Sequence, residues 1–267
     1  NSGPGTSRNY GAERSKGDYI VFFDSDCIIP PTYFQSVNTF LSRNKVDAFG
    51  GPDKAHESFT TTQKAINYSM TSFFTTGGIR GGNEKMDKFF PRSFNMGFSR
   101  EVFNATGGFS TMRFGEDIDM SIRILSNGFK TALIKEAFVY HKRRTDLKKF
   151  FKQVFNSGMA RINLYKKHPS SLKIVHLLPT AFVLGILLIV ALFVFWSVWF
   201  LVFPAIYILA VFVDSLRKNK SITVAYKSIF AAFVQLFGYG TGFLTAFWKR
   251  IILRKPDATA FVKNFYK

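Results

Sequence analysis

The sequence holds a single cysteine, Cys27, among 267 residues. That excludes an intramolecular disulfide framework and a cysteine-rich zinc site. Acidic residues are scarce, 17 Asp+Glu against 36 Lys+Arg, and the net charge is +19. There is no GxxxxGK(S/T) or GxGxxG pattern, which removes the P-loop and the dinucleotide fingerprint, and no GxSxG nucleophile elbow. Internal repeats are absent. The first residue is Asn1 and no charged-then-apolar leader follows, so processing or truncation is expected to have removed the true start. Charge of either sign is missing over residues 174–213, a run of 40. What is abundant is apolar: 47% hydrophobic and 17% aromatic, with 33 Phe, which argues against disorder. A chain both greasy and basic points to an anionic membrane surface before a nucleic acid.

Residues 1–173 carry 26 Lys+Arg and 15 Asp+Glu, whereas residues 174–267 carry 10 and 2. A spanning helix needs roughly 20 apolar residues, so the charge-free run fits two spans in a tight hairpin. Trp196 and Trp199 near its midpoint suit an interfacial turn. The run is too long to be read comfortably as a buried soluble hairpin. A third apolar segment, 228–247, contains Gln235, Gly238, Gly240 and Gly242. Arg217, Lys218, Lys220 and Lys227 place the loop 214–227 in the cytoplasm by the positive-inside rule. Lys249, Arg250, Arg254 and Lys255 prefer the same side. A third full span would put them outside; a re-entrant helix would satisfy both groups. The expectation is a multi-pass membrane protein whose residues before 174 face the cytoplasm.

Leu147, Phe150, Phe151, Val154, Phe155 and Ile162 recur at helical spacing, and residues 142–173 hold ten basic residues and one acid, Asp146. This reads as a basic amphipathic helix on membrane lipids, over residues 146–173. The alternative is a core helix with a solvated basic face. The basic run shows no nucleic-acid-binding module.

Residues 1–145 read as an α/β domain. The apolar run 18–23 predicts a buried strand, Pro30-Pro31 open a helix to about Arg43, and 46–51 is a strand. Residues 116–127 form a helix stopped by Gly128, and 131–140 return as one strand. Three constellations carry chemistry. Asp24-Ser25-Asp26 follows the first strand, where two carboxylates can share a hard cation; the plain alternative is a turn. Gly115-Glu116-Asp117-Ile118-Asp119 is either an acidic first helical turn or a carboxylate poised as general base. His141 ends a strand beside Lys142, Arg143 and Arg144, and is either structural or aimed at phosphates. Gln153 and Arg161 are either part of a charge run or diphosphate contacts. The glycines at 77, 78, 81 and 82 around Arg80 suggest a mobile loop.

Taken in order, Gly5 to Gly11 with Arg8-Asn9, then Gly17 through Asp24-Ser-Asp26, resemble the middle of the family 2 glycosyltransferase domain, which has the GT-A fold. Asn95-Met-Gly-Phe-Ser-Arg100, Gly107-Gly-Phe109 and Gly115-Glu-Asp-Ile-Asp119 continue that order. Gln153 to Arg161 looks like a divergent Q-x-x-R-W region without its Trp. The C-terminal spans are similar to the succinoglycan-biosynthesis-type branch. The resemblance implies a GT-A domain over 1–145 whose N-terminal, nucleotide-holding half is missing, followed by the interfacial helix and by a membrane domain over 174–267. It further favours a third full span.

Residue by residue, the resemblance implies Asp26 as a ligand of Mn²⁺ or Mg²⁺, and Asp24 in the same D-x-D element at the nucleotide sugar. It implies Asp117 as general base oriented by Glu116, Arg8 and Arg161 near the diphosphate with Gln153, and His141 on metal or phosphate. The expected activity is inverting transfer from a nucleotide-sugar donor to a lipid-linked or surface polysaccharide acceptor. The alternatives are transfer to a polyprenyl phosphate, or a non-catalytic membrane scaffold with a degenerate transferase domain.

Overall fold

The structure, a computed structural model, describes residues 3–77 and 89–256. In chain order its elements are α1 (Pro4–Arg14), β1 (Tyr19–Phe23), β2 (Cys27–Ile28), α2 (Tyr33–Leu41), β3 (Ala48–Gly50), β4 (Asp53–Lys54), α3 (Thr61–Thr71), α4 (Phe73–Thr76), β5 (Asn95–Ser99), α5 (Arg100–Thr106), α6 (Glu116–Ser126), β6 (Thr131–Leu133), β7 (Val139–His141), α7 (Leu147–Lys167), α8 (Leu178–Phe195), α9 (Val202–Asn219) and α10 (Ile222–Ala246). They fall into two compact units. Among the described residues, 3–56 and 89–142 make the first, and 57–77 and 143–256 the second.

In the first unit β1 lies at the edge of a four-stranded sheet ordered β1-β5-β3-β6. Only β3 and β6 run parallel; β5 is antiparallel to both of its neighbours. Successive strand side chains point to opposite faces. Ile20 and Phe22 pack with Ala12, Met96, Phe98, Met120 and Ile124 on one face, and Val21 and Phe23 with Tyr33, Val37, Phe49 and Val139 on the other. Both faces are covered, which is why β1 is continuously apolar rather than alternating. Gly97 sits opposite Phe49 across β3 and β5, and its missing side chain makes room for that ring. A second sheet, β2-β7-β4, carries the chain beyond the end of β1.

Two elements differ from the sequence expectation. The strand expected over 131–140 is two strands in different sheets, β6 beside β3 and β7 between β2 and β4. Between them Ala137 N–H closes a turn on Ile134 C=O at 3.1 Å, and the Ala137 carbonyl accepts from Asn95 Nδ2 at 2.7 Å. That side-chain bond takes the ladder's place and lets the chain change sheets. The helix after the two prolines starts only at Tyr33, because Tyr33 N–H first closes a turn on Pro30 C=O at 3.0 Å. Of the glycine cluster, residues 78, 81 and 82 lie outside the described residues.

The second unit is helical. α8, the stretch Val198–Asn219 and the stretch Ile222–Ile252 are each long and apolar enough to cross a membrane, with mean hydropathies of 2.8, 2.1 and 1.4. Trp196 and Trp199 stand exposed in the connection between α8 and α9. α10 continues without a break through its glycines into a π-helical turn, Phe247–Ile252. Those glycines are its packing surface. Gly238 and Gly242, one helical turn apart, meet α7 at Val154 and at the backbone of Phe155, while Gly240 meets Pro179 of α8. Gly158 of α7 answers by lying on the Tyr239 carbonyl. Small residues at this spacing let helix backbones approach closely, where dispersion supplies most of the attraction. A methyl at 242 would strike Phe155 carbonyl oxygen, backbone that cannot rotate away. Gly242→Ala is therefore expected to destabilise the second unit by about 1–3 kcal/mol, an overpacking cost, read as a lowered unfolding midpoint in detergent.

Candidate active site

The end of β1 positions the site. Phe23 pairs with Asn95, the first residue of β5, so the turn that leaves β1 with Asp24 runs beside the segment that enters β5 with Arg92 and Ser93. α1 brings Arg8 to this junction. Its orientation is set by the next residue: Asn9 Nδ2 donates to Phe109 C=O at 2.8 Å and Asn9 Oδ1 accepts from Phe109 N–H at 2.7 Å. Gly108, at φ 72, lets the backbone pass under that clamp. The Arg8-Asn9 and Gly-Gly-Phe elements are thus one device, an arginine aimed by an asparagine bolted to a loop.

Arg8 Nη2 donates to Asp24 Oδ1 and to Ser93 Oγ, both at 3.0 Å, and Nη1 donates to Glu116 Oε1 at 2.8 Å. The Phe109 ring lies 5.4 Å from its guanidinium. Two carboxylates compensate its charge, so Arg8 acts here as a bridge. Gly115, at φ 83, starts α6 in a left-handed conformation and turns Glu116 and Asp117 into the junction. Asp117 Oδ2 accepts from Arg92 Nε at 2.8 Å, and its Oδ1 from Ile118 N–H at 2.8 Å. Asp119 is turned away and fully buried against Arg123.

Burial, then the adjacent Asp117 charge, push the Glu116 carboxyl above its ordinary value despite Arg8. Burial works to raise Asp117 too, but the charge and hydrogen bond of Arg92, with Ile118 N–H, outweigh it and hold Asp117 below its ordinary value. The pair is therefore split, one carboxylate firmly ionised and the other easier to protonate.

Cys27 and His141 are register partners on β2 and β7, which sets them side by side next to Asp26. His141 Nε2 lies 3.2 Å from Asp26 Oδ1 and Nδ1 lies 4.0 Å from Asp53 Oδ2, with Phe94 stacked on the imidazole at 5.1 Å. Ligand atoms of Asp26, Cys27 and His141 fall within 4.8 Å of one another, and the group could hold a metal ion. The buried Nδ1 has no hydrogen-bond partner among the described residues, as expected of an atom placed for something else. Burial, then the charges of Asp24 and Asp26, push the Cys27 thiol up to about 12. A carboxylate with an imidazole suits Mn²⁺ and its neighbours; Mg²⁺ prefers oxygen ligands alone. The donor set fits a divalent ion.

Of the residues singled out in the sequence, Arg8, Asp24, Glu116 and Asp117 come together, and Asp26 and His141 come together. Asp24 is tied to Arg8 and is not in the metal-capable group. Gln153 and Arg161 lie on α7 in the second unit, where Gln153 Oε1 accepts from Arg144 Nε at 3.2 Å. Arg92, Ser93 and Asp53 escaped the sequence reading, and Cys27 entered it only as the lone cysteine. An arginine just before a strand that needs burial, as Arg92 is, would have been the signal for a carboxylate partner.

A mixed α/β domain with acids at the carboxyl end of its first strand, followed by three helices able to cross a membrane, defines a GT-A-type glycosyltransferase fold with a C-terminal helical part. The chain belongs to the family described as glycosyltransferase like family 2, whose model matches residues 1–160. It is similar to a probable glycosyltransferase of Sulfolobus acidocaldarius, 25% identical over 120 residues, which are 45% of this chain and 26% of that protein. The chain thus spans about a quarter of the length of the curated relative it matches. A solved mannosyltransferase, PcManGT from Pyrobaculum calidifontis in complex with GDP-Man and Mn²⁺, superposes with a TM-score of 0.59. That likeness is at 14% identity over 89% of this chain and 67% of that one, and it establishes the fold.

Proposed function

We propose that this chain carries the reaction centre and membrane part of an inverting glycosyltransferase, which moves a sugar from a nucleoside-diphosphate donor to a lipid-linked or surface polysaccharide acceptor. The observation that carries the reading is the juxtaposition, in one unit, of an ionised buried Asp117, the Arg8 bridge from Glu116 to Asp24, and the Asp26–Cys27–His141 group. The three C-terminal helices able to cross a membrane support kinship with the succinoglycan-biosynthesis branch. Basic loops support a cytoplasmic site on a multi-pass protein.

In this reading Asp117 accepts the proton of the acceptor hydroxyl. The acceptor oxygen forms its bond to the anomeric carbon as the bond from that carbon to the diphosphate oxygen breaks, and the electron pair leaves with the diphosphate. Glu116 fixes Arg8, and Arg8 fixes Asp24 at the sugar. Asp26 and His141 would hold Mn²⁺ or Mg²⁺, which when bound neutralises the departing diphosphate. A lipid-borne acceptor held at the membrane would raise its effective concentration at the site.

The test is turnover by the complete protein in membranes, given Mn²⁺ or Mg²⁺ and a panel of nucleotide sugars. Release of nucleoside diphosphate should accompany entry of sugar into the lipid extract. Folded protein that turns over none of the donors would favour a non-catalytic membrane scaffold. Metal binding has its own readout. Outer-shell partners of a metal already cost roughly ten- to a hundredfold in affinity, so loss of a ligand should cost no less. Asp26→Asn and His141→Ala should each weaken Mn²⁺ binding at least that far in an electron paramagnetic resonance titration. Unchanged binding in both would remove the metal from this group.

A further inference from the structure

Residues 57–77 lie in sequence between β4 and β5 but fold with the second unit, and the aromatic rings at their apolar end, Phe73 and Phe74, are exposed. No Asp, Glu, Lys or Arg occurs over residues 65–77. α3 begins at the level of the basic start of α10, where Lys227 Nζ donates to Thr61 Oγ1 at 2.7 Å and to Thr62 Oγ1 at 3.1 Å. From there it runs along α10, its Ala65, Ile66 and Met70 packing with Val224, Ala231 and Val234. Tyr68 OH donates to Asp214 Oδ2 at 2.7 Å, and two turns further along the chain Tyr207 OH donates to Phe74 C=O at 3.2 Å. Tyr207 lies seven positions before Asp214 on α9, so at 1.5 Å per residue the contact is about 10 Å farther from the charged loop.

The rings around Tyr207 mark the same level on all three long helices. Phe182 of α8 and Phe233 of α10 have centroids 5.2 and 5.8 Å from it. The short helix α4 therefore sits alongside the charge-free parts of these helices. Phe73 is 71% and Phe74 40% exposed there, and Gly77 lies against Val175 and Leu178 at the start of α8. The threonine hydroxyls are closed internally. Thr71 Oγ1 donates to Asn67 C=O at 3.0 Å and Thr76 Oγ1 to Ser72 C=O at 2.8 Å, while Thr75 Oγ1 donates to Ser69 and Ser72 C=O. Exposed aromatic rings beside hydroxyls that are closed onto neighbouring carbonyls suit lipid contact, because nothing in hydrocarbon can bond a free polar group. The charge-free stretch, 15 residues over 65–79, is shorter than the roughly 20 residues of a span, which leaves one leaflet as its place.

We propose that α3 and α4 form a further membrane element, dipping into the leaflet on the side of the basic 214–227 segment that joins α9 to α10, with Phe73 and Phe74 in contact with lipid acyl chains. The inference rests on reading α8 to α10 as spans. The test is nitroxide scanning of the full chain in phosphatidylcholine–phosphatidylglycerol vesicles. In a Cys27→Ser background, single labels are placed at Phe73→Cys, at Leu188→Cys on the exposed face of α8, and at Glu57→Cys before α3. The ratio of oxygen to nickel-chelate collisions should be several-fold higher at 73 than at 57, and should approach that at 188. Water-like collisions at 73 with hydrocarbon-like collisions at 188 would overturn the inference alone. Water-like collisions at both would overturn the spanning reading, and the inference with it.

Discussion

Asp117→Asn is expected to lower kcat by about a hundred- to ten-thousandfold, the contribution of a positioned general base. Asparagine keeps the size of the side chain and its Oδ1 can still accept from Ile118 N–H, so the loss should fall on the proton rather than on α6. Substrate KM should change little if ground-state binding does not use this carboxylate. The main alternative responds differently. A polyprenyl phosphate acceptor arrives already deprotonated and needs no base, so turnover retained in Asp117→Asn would move the assignment to that acceptor class.

The split carboxylate pair adds a pH signature to the same variant. Asp117 is held below its ordinary value by Arg92, so it stays ionised as pH falls; Glu116 is held above its own, so it takes a proton first. Protonating Glu116 breaks its ion pair with Arg8. The acid limb of kcat/KM should therefore lie above the ordinary glutamate range and report Glu116, with Asp117 still charged at that point. Removing the Asp117 charge takes away a repulsion that raises Glu116, so residual activity of Asp117→Asn should show an acid limb at lower pH. An acid limb that does not move would separate the two carboxylates and undo the coupling argument.

What could be read from the residues, and what could not, follows from where each signal resides. β1 was legible because a strand covered on both faces must be apolar throughout, and Tyr19–Phe23 is. α6 was legible because a glycine, three acids and apolar residues at helical spacing occur together. The two helices α8 and α9 were legible because a run of 40 residues without charge is long and apolar enough for both. By contrast, α1 buries little besides Gly5 and Ala12, so no periodicity announces it; it is held by the backbone of the Phe109 loop. The break between β6 and β7 depends on Asn95, some 40 residues away in sequence. Of the candidate site, the acids and Arg8 stood out by type and order. Arg92 and Cys27 did not, since their neighbours are set by strand register. The assignment of 57–77 with the C-terminal helices was hidden for a similar reason, because its contacts with Val211, Asp214 and Lys227 are long-range.

Arg8 is where the largest combined effect on folding and activity is expected. Its guanidinium satisfies Glu116, Asp24 and Ser93 from one fixed fork, with its side chain 17% exposed. Removing one partner of a buried pair costs about 3–5 kcal/mol, and since Asp24 is a third exposed, solvent screening puts Arg8→Ala near the lower end. That variant confounds stability with catalysis. Arg8→Lys separates them, because it keeps the charge but replaces a planar fork by a single ammonium that cannot span both carboxylates at these distances. Arg8→Lys should fold, with hydrogen-exchange protection of β1 and β5 close to that of the unsubstituted chain. It should nevertheless lose at least roughly tenfold in kcat, since about 1.4 kcal/mol of misplaced carboxylate suffices for that factor. Its acid limb should also shift, because Glu116 no longer has its fixed partner. Full activity in Arg8→Lys would mean that positive charge alone is needed at this position, and that the bridge from Glu116 to Asp24 does not set the geometry of the reaction.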